Sequence, residues 1–198
     1  MKSIVLASGN PGKKAELEQL LAPFGTRVIT QVELGITEAE EPHDSFLENA
    51  LAKARHACFA TRLPALADDS GLCVDALGGA PGVYSSRYAG PGATDADRYR
   101  KLLDALSGVP WDGRTARFRC TVALAMPGGD VRTVDGACEG IIAFGPAGGN
   151  GFGYDPVFYF LAQAATMAQL DPEMKNRISH RGRAAQAAVG ALGEMLHG

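Results

Sequence analysis

No stretch of the chain is dominated by lysine or arginine, and the formal net charge is −3. A broad basic surface for nucleic acid is therefore disfavoured, although a local cationic pocket is not. Long apolar runs are missing too. Nothing is long and apolar enough to span a bilayer, and Ile4-Val5-Leu6-Ala7 is too short for the central region of a signal peptide. Cys58, Cys73, Cys120 and Cys138 lack the close pairing of zinc ribbons and redox motifs. Each stands among apolar neighbours and reads as a small core residue in a reducing compartment. The Gly-x-Ser-x-Gly elbow of serine hydrolases is absent, as are His-x-x-x-His and Cys-x-x-Cys spacings for zinc. The expectation is a soluble, cytoplasmic protein with neither a nucleic-acid nor a membrane partner.

What is present suits one well-buried α/β domain over residues 1–198, with 46% hydrophobic and 21% charged residues. Ile4–Ala7 reads as a buried strand ending at Ser8-Gly9. Asn10 then makes an N-cap, with Pro11 at the first helical position. Leu17, Leu20, Leu21 and Phe24 recur at helical spacing, and Gly25 closes the helix. Val28–Thr30 predicts a second strand. Ser45 and Glu48 fit a capping box opening a helix through about Thr61, with Asn49 and Lys53 one turn apart on one face. Ala65-Leu66-Ala67 predicts a strand running into Asp68-Asp69-Ser70-Gly71. Thr94 caps a further helix. Phe118 to Met126 alternates as a half-exposed strand, turning through Pro127–Asp130 into Val131–Val134 as a hairpin. Arg183 to Leu196 reads as helix.

Several segments carry candidate chemistry. Ser8-Gly9-Asn10-Pro11-Gly12-Lys13 is neither a Walker A loop nor a dinucleotide fingerprint, since Ala7 and Lys14 stand where Gly and Ser or Thr are needed. It keeps what those motifs share physically: small turning backbone, a helix N-terminus and a lysine placed for phosphate oxygens. An ordinary strand-to-helix turn explains it equally well. Asp68 and Asp69 follow a predicted strand, where ligand sites of α/β proteins gather. On an extended chain they point in opposite directions, so one acid faces a given cleft and the other bonds nearby backbone. Glu40 and Glu41 lie in an acidic loop. One carboxylate from each acidic segment suits Mg²⁺, which takes few protein oxygens besides water and phosphate. Phe152-Gly153-Tyr154-Asp155-Pro156 offers aromatics to stack on a base and an acid to accept from it, or plain core. His180-Arg181 offers donors to a base carbonyl or phosphate, or a helix-end contact.

Taken in order, these blocks resemble the Ham1 family of nucleoside triphosphate pyrophosphatases. The matching residues are Ser8 to Lys13, Ser45-Phe46-Leu47-Glu48-Asn49-Ala50 with Lys53, Ala67-Asp68-Asp69-Ser70-Gly71-Leu72, Gly79 to Tyr88, Gly151 to Pro156 and Ser179-His180-Arg181-Gly182. The resemblance implies an elongated mixed sheet flanked by helices, in two lobes around a central cleft, and a homodimer. It implies Mg²⁺-dependent cleavage of ITP, dITP and XTP to monophosphate and pyrophosphate. It also implies roles. Ser8, Gly9, Asn10, Pro11, Gly12 and Lys13 form the triphosphate cradle, with Lys53 and Ser70 assisting. Glu40 and Asp69 hold magnesium, and Asp69 is also the general base, acting with Lys13. Phe152, Gly153, Tyr154, Asp155, Lys175, His180 and Arg181 form the base pocket. Residues Leu161 to Gln169 depart from the family pattern, being less polar than the loop usual there. The rival readings are a broader Maf-like nucleotide pyrophosphatase and a nucleotide sensor that binds without cleaving.

Overall fold

The computed structural model describes residues 3–197, the side chains of Glu16, Leu20 and residues 195–197 excepted. The first apolar run forms β1 (Ser3–Leu6) and turns through Ser8 and Gly9 into α1 (Pro11–Leu21). Asn10 caps that helix, its Oδ1 accepting from the N–H of Gly12 at 2.8 Å and of Lys13 at 3.3 Å. Pro11 sits where its missing N–H costs nothing. Gly25, at φ +60°, closes a 3-10 turn over Ala22–Phe24 rather than α1 itself. The switch to three residues per turn takes Phe24 off the buried face, leaving it 53% exposed. Leu20, expected in the same stripe, lies outside the described side chains.

The later elements are β2 (Arg27–Thr30), α2 (Phe46–Thr61), β3 (Ala65–Val74), α3 (Asp95–Ala105), β4 (Thr115–Ala125), β5 (Val131–Ile142), β6 (Phe158–Phe160), β7 (Ala165–Thr166), α4 (Pro172–Ile178) and α5 (His180–His197). The strands form a seven-stranded sheet in the order β2-β1-β3-β4-β5-β6-β7. β1 runs parallel to β2 and β3, whereas β6 is antiparallel to β5 and β7. The class is the expected mixed α/β sheet flanked by helices. The hairpin at Pro127–Asp130 forms, with Met126 donating to the Asp130 carbonyl at 2.9 Å. Ser45 makes half of its expected capping box, accepting from the Glu48 N–H at 3.4 Å, while the Glu48 carboxylate faces His43 at 4.0 Å. Two boundaries differ from expectation. β3 continues through Val74, so Asp68 and Asp69 lie inside the strand, and α5 begins at His180 rather than Arg183. No helix among the described residues is long and apolar enough to cross a membrane.

The chain divides into two compact units, residues 1–69, 120–136 and 181–198 in one and residues 70–119 and 137–180 in the other. In the first unit, side chains alternate across the strands. Ile4, Leu6, Leu66, Cys120, Val122 and Leu124 pack with Leu17 and Leu21 of α1 and with Ala184, Ala188 and Leu192 of α5. Val5, Ala7, Ala65, Ala67, Ala123 and Ala125 pack with Ala50, Ala54, Ala57 and Cys58 of α2. Buried on both faces, β1 has to read as a continuous apolar run. The second unit is built around larger side chains, including Phe118, Phe158, Leu102, Leu106 and Met167.

One surface network has a readable pH dependence. The Glu33 carboxylate accepts from Lys14 Nζ at 2.7 Å, the Thr30 N–H at 2.7 Å and Thr30 Oγ1 at 3.1 Å. The Lys14 hydrogen bond, then those of Thr30, lower its pKa to about 2. A depressed carboxylate stabilises the fold above its unfolded pKa of about 4.3 and loses that contribution as pH falls towards the folded value. A Glu33→Gln variant should therefore melt below the wild type at neutral pH, with the gap narrowing below about pH 4.5. A gap of constant size across that range would contradict the assignment.

Candidate active site

The alternation along β3 decides where its two acids go. Leu66 packs with α1 and α5, and Ala65 and Ala67 with α2. Two residues further on the same parity sends Asp68 to the first face and Asp69 to the second. Asp68 Oδ1 pairs with Lys13 Nζ at 2.7 Å, and its Oδ2 lies 3.6 Å from Arg181 Nε and 4.0 Å from Cys120 Sγ. Asp69 Oδ1 pairs with Lys53 Nζ at 3.1 Å, and its Oδ2 accepts from Asn49 Nδ2 at 3.2 Å. Neither acid is spent on nearby backbone, which corrects the expectation for the one turned away. Each instead holds a cation supplied by a helix.

The electrostatics separate the two carboxyls. Burial alone would raise the pKa of Asp68, but Lys13 and then Arg181 pull it far below the ordinary carboxylate range. Asp69 moves the other way. Burial raises it, and the negative charge of Glu41 adds to this, against the opposing pull of Lys53 and Asn49. Burial opposes the charge of Lys53, yet Asp69, Glu41 and Asp68 together raise its pKa. Burial, followed by the neighbouring Asp68 charge, pushes the Cys120 thiol well above its usual range, so it remains a protonated core residue. None of the four cysteines is in a disulfide; Cys58, Cys120 and Cys138 are buried, and Cys73 is half-buried.

Asn49 is fixed before it reaches Asp69. Its Oδ1 accepts from the His43 N–H at 3.1 Å and its Nδ2 donates to the His43 carbonyl at 3.0 Å. Glu41 accepts from Lys53 Nζ at 2.7 Å, so it is Glu41 that reaches the Lys53–Asp69 pair, while Glu40 is exposed. Among the described residues no three His, Cys, Asp or Glu side chains gather at metal-ligand spacing. Asp69 with one glutamate is nevertheless the sparse oxygen set that magnesium takes when water and phosphate complete its shell. Burial first, and then the charge of Glu41, raise the pKa of Asp69, and Lys53 is the cation that contacts both acids.

At the first turn, the amides of Asn10, Gly12 and Lys13 are met by Ser8 Oγ and Asn10 Oδ1. Space at Gly9 is tight, because a Cβ there would stand 3.1 Å from Val32 Cγ2 and that side chain would have to give way. Ser70 is half-buried on β3 beside Asp69. The start of α1 thus carries Lys13 to the Asp68 carboxylate.

The second unit gathers the other group of expected residues. The Asp155 carboxylate, in a residue 4% exposed, accepts from Lys175 Nζ at 2.8 Å and from the Phe152 N–H at 2.9 Å through the same Oδ2. Lys175 Nζ also stands 4.7 Å from the Phe152 ring centroid, within cation–π range. Phe152 is 42% exposed, a large apolar ring open to solvent beside a fixed ammonium. Gly151 accepts no side chain, since a Cβ would fall 2.0 Å from Asp155 Oδ2. Tyr154 turns inward, its hydroxyl donating to the Ser85 carbonyl at 2.8 Å, and burial raises its pKa well beyond the usual phenol range. The His180 ring is buried, stacked on Phe118 at 4.6 Å with Nδ1 3.8 Å from Cys138 Sγ. Its neighbour Arg181 contributes to the Asp68 group instead. Tyr154 and His180 are thus packed into the second unit, while Phe152, Asp155 and Lys175 are joined to one another by the contacts above.

Residues 4–191 match the model of the Ham1 family. A dITP/XTP pyrophosphatase of Yersinia pseudotuberculosis is 52% identical over 194 residues, spanning 97% of this chain and 98% of that protein. One from Escherichia coli is 48% identical over the same share of each. Among solved structures, a HAM1 protein from Coxiella burnetii superposes with a TM-score of 0.92 at 48% identity, covering 98% of this chain and all of that one. The Staphylococcus aureus Ham1 protein gives a TM-score of 0.89 at 38% identity, with the same coverage.

Proposed function

Because the chain belongs to the Ham1 family, we propose that it hydrolyses non-standard purine nucleoside triphosphates, dITP, ITP and XTP, to the monophosphate and pyrophosphate. The observation that carries this reading is the pair of lysines held on consecutive acids of one strand, Lys13 on Asp68 and Lys53 on Asp69. Two cations and a carboxyl of raised pKa are the parts that cleavage of a phosphoanhydride needs from a protein.

The roles follow from the contacts. Asp69 orients and deprotonates the attacking water, and a pKa above the ordinary carboxylate makes it the better base. Lys13 and Lys53, with the N-terminal turn from Ser8 to Lys13, stabilise the charge that develops on the departing pyrophosphate. Asp68 holds Lys13 and Arg181 in place. Asp69 and the Glu40–Glu41 segment would hold Mg²⁺, which screens the triphosphate and polarises its phosphate oxygens when bound. Phe152 offers a face for the purine, and Lys175 a donor for its 6-oxo oxygen. We further take the protein to act as a homodimer on the cytoplasmic nucleotide pool; Phe144, 65% exposed, and Leu161, 63% exposed, are apolar surface that a second copy would cover.

A substrate panel with Mg²⁺ tests the reading. Lysine is a donor only, so the N–H that Lys175 turns to the base meets another donor at the 6-amino group of adenine, at about 1–3 kcal/mol per buried unsatisfied group. The values of kcat/KM for dITP, ITP and XTP should exceed that for ATP by at least about tenfold, and GTP should also fall below them. Comparable values for all five nucleotides would remove the proposed selectivity, and binding without turnover would make the chain a sensor.

A further inference from the structure

The loop that carries Phe152 is held by a carboxylate outside the groups assigned above. Asp95 opens α3, where an acid is ordinarily explained by the helix dipole. The capping of α3 is already complete without it. Thr94 Oγ1 accepts from the Asp97 N–H at 3.2 Å, and Asp97 Oδ2 accepts from the Thr94 N–H at 2.9 Å. Asp95 Oδ2 instead accepts from the backbone N–H of Gly153 at 2.7 Å, across 58 residues of sequence, and its Oδ1 takes Arg98.

The consequence falls on Phe152. The peptide joining Phe152 to Gly153 is held at both edges, its N–H by Asp95 and its carbonyl by the Asp155 N–H at 3.2 Å. The peptide before it is held by the Phe152 N–H on Asp155 Oδ2 at 2.9 Å. A planar peptide fixed on each side of a residue leaves that residue's two backbone dihedrals little freedom, and the backbone in turn restricts the side-chain rotamer. Gly153, at φ +63°, supplies the left-handed step by which the chain turns after the second of these peptides and brings the Asp155 N–H back to the Phe152 carbonyl.

We propose that Asp95 is a positioning residue: through Gly153 it aims the Phe152 ring, and so governs affinity for the purine rather than the chemical step. This rests on the reading of Phe152 as the base platform. Removing the carboxylate frees one edge of one peptide while leaving Asp69, Lys13 and Lys53 untouched. The loss therefore falls on KM and leaves kcat nearly unchanged, a split that general destabilisation of α3 does not produce.

The test uses three variants and two readouts on the full chain. Asp95→Ala should raise KM for dITP about tenfold with kcat within about twofold of wild type. Asp95→Asn keeps an oxygen acceptor for Gly153 and should recover most of that loss. Arg98→Ala removes the ion pair but not the Gly153 bond, and should stay near wild type. Independently of any substrate, amide exchange at Gly153 should be slow in wild type and Asp95→Asn and fast in Asp95→Ala. An unchanged KM in Asp95→Ala, a Gly153 amide that exchanges freely in wild type, or an Arg98→Ala variant that reproduces Asp95→Ala would each overturn the proposal. A wild-type protein that turned over none of these nucleotides would instead remove the functional reading beneath it, with the exchange data still deciding whether Asp95 anchors the loop.

Discussion

Asp69→Asn should lower kcat for dITP by about a hundred- to ten-thousandfold, the range for loss of a positioned general base, with little change in melting temperature. The side-chain volume and the contact with Asn49 Nδ2 can be kept by an amide oxygen, and Lys53 retains Glu41 as a partner at 2.7 Å. The carboxyl of Asp69 has a pKa raised by burial, so its charged form is held in the fold at a cost. Replacing it with a neutral group of the same shape relieves that cost. Measured turnover close to wild type in a folded Asp69→Asn protein would take Asp69 out of the mechanism.

Its neighbour should behave in the opposite way. Asp68→Asn should destabilise the protein by about 3 kcal/mol, the scale for removing one partner of a buried ion pair. The side chains of Lys13 and Arg181 are 19% and 13% exposed, and they face each other across Asp68. Without the carboxylate two cations are left to repel in a poorly solvated place. The urea midpoint should fall with an unchanged slope, and activity should drop because Lys13 loses its anchor. Equal stability of Asp68→Asn and wild type would show that the pair contributes nothing to folding. The contrast between adjacent residues is the informative part: one substitution removes turnover and spares the fold, the other loosens the fold.

That contrast follows from strand parity, which was legible in the sequence. Alternation along an extended segment already required Asp68 and Asp69 to face opposite ways. Their destinations were not legible, because the partners come from elements far away in sequence: Lys13 in α1, Lys53 in α2 and Arg181 in α5. Asn49 and Lys53 could be placed on one helical face from their spacing, and the structure brings both to Asp69. The choice between Glu40 and Glu41 was beyond a pattern of consecutive acids in a loop, where no periodicity fixes direction. The structure puts Glu41 on Lys53. Asp95 was hidden for another reason. An acid in a helix's first turn already has a local explanation, so nothing in the sequence points to Gly153. The division into two units left no composition break because each unit is assembled from interleaved stretches of chain, and β3, β4 and β5 run through the division.

Elements with a strong local signal came out closest. The Asn10 cap, the Pro11 start and the hairpin at Pro127–Asp130 are set by residues within a turn of one another. α4 was missed because seven residues give too little periodicity to stand out. Once it is present, Ser179 ends it and α5 restarts at once, which is why α5 begins earlier than the alanine-rich run implies.

The account turns on which phosphoanhydride bond is cut. Full-length protein incubated with dITP and Mg²⁺, with products separated by ion chromatography, should release pyrophosphate and dIMP in equal amounts and no free phosphate in the early time course. Release of orthophosphate with dIDP would mean cleavage at the terminal phosphate, and would contradict the assignment of Lys13 and Lys53 to a departing pyrophosphate.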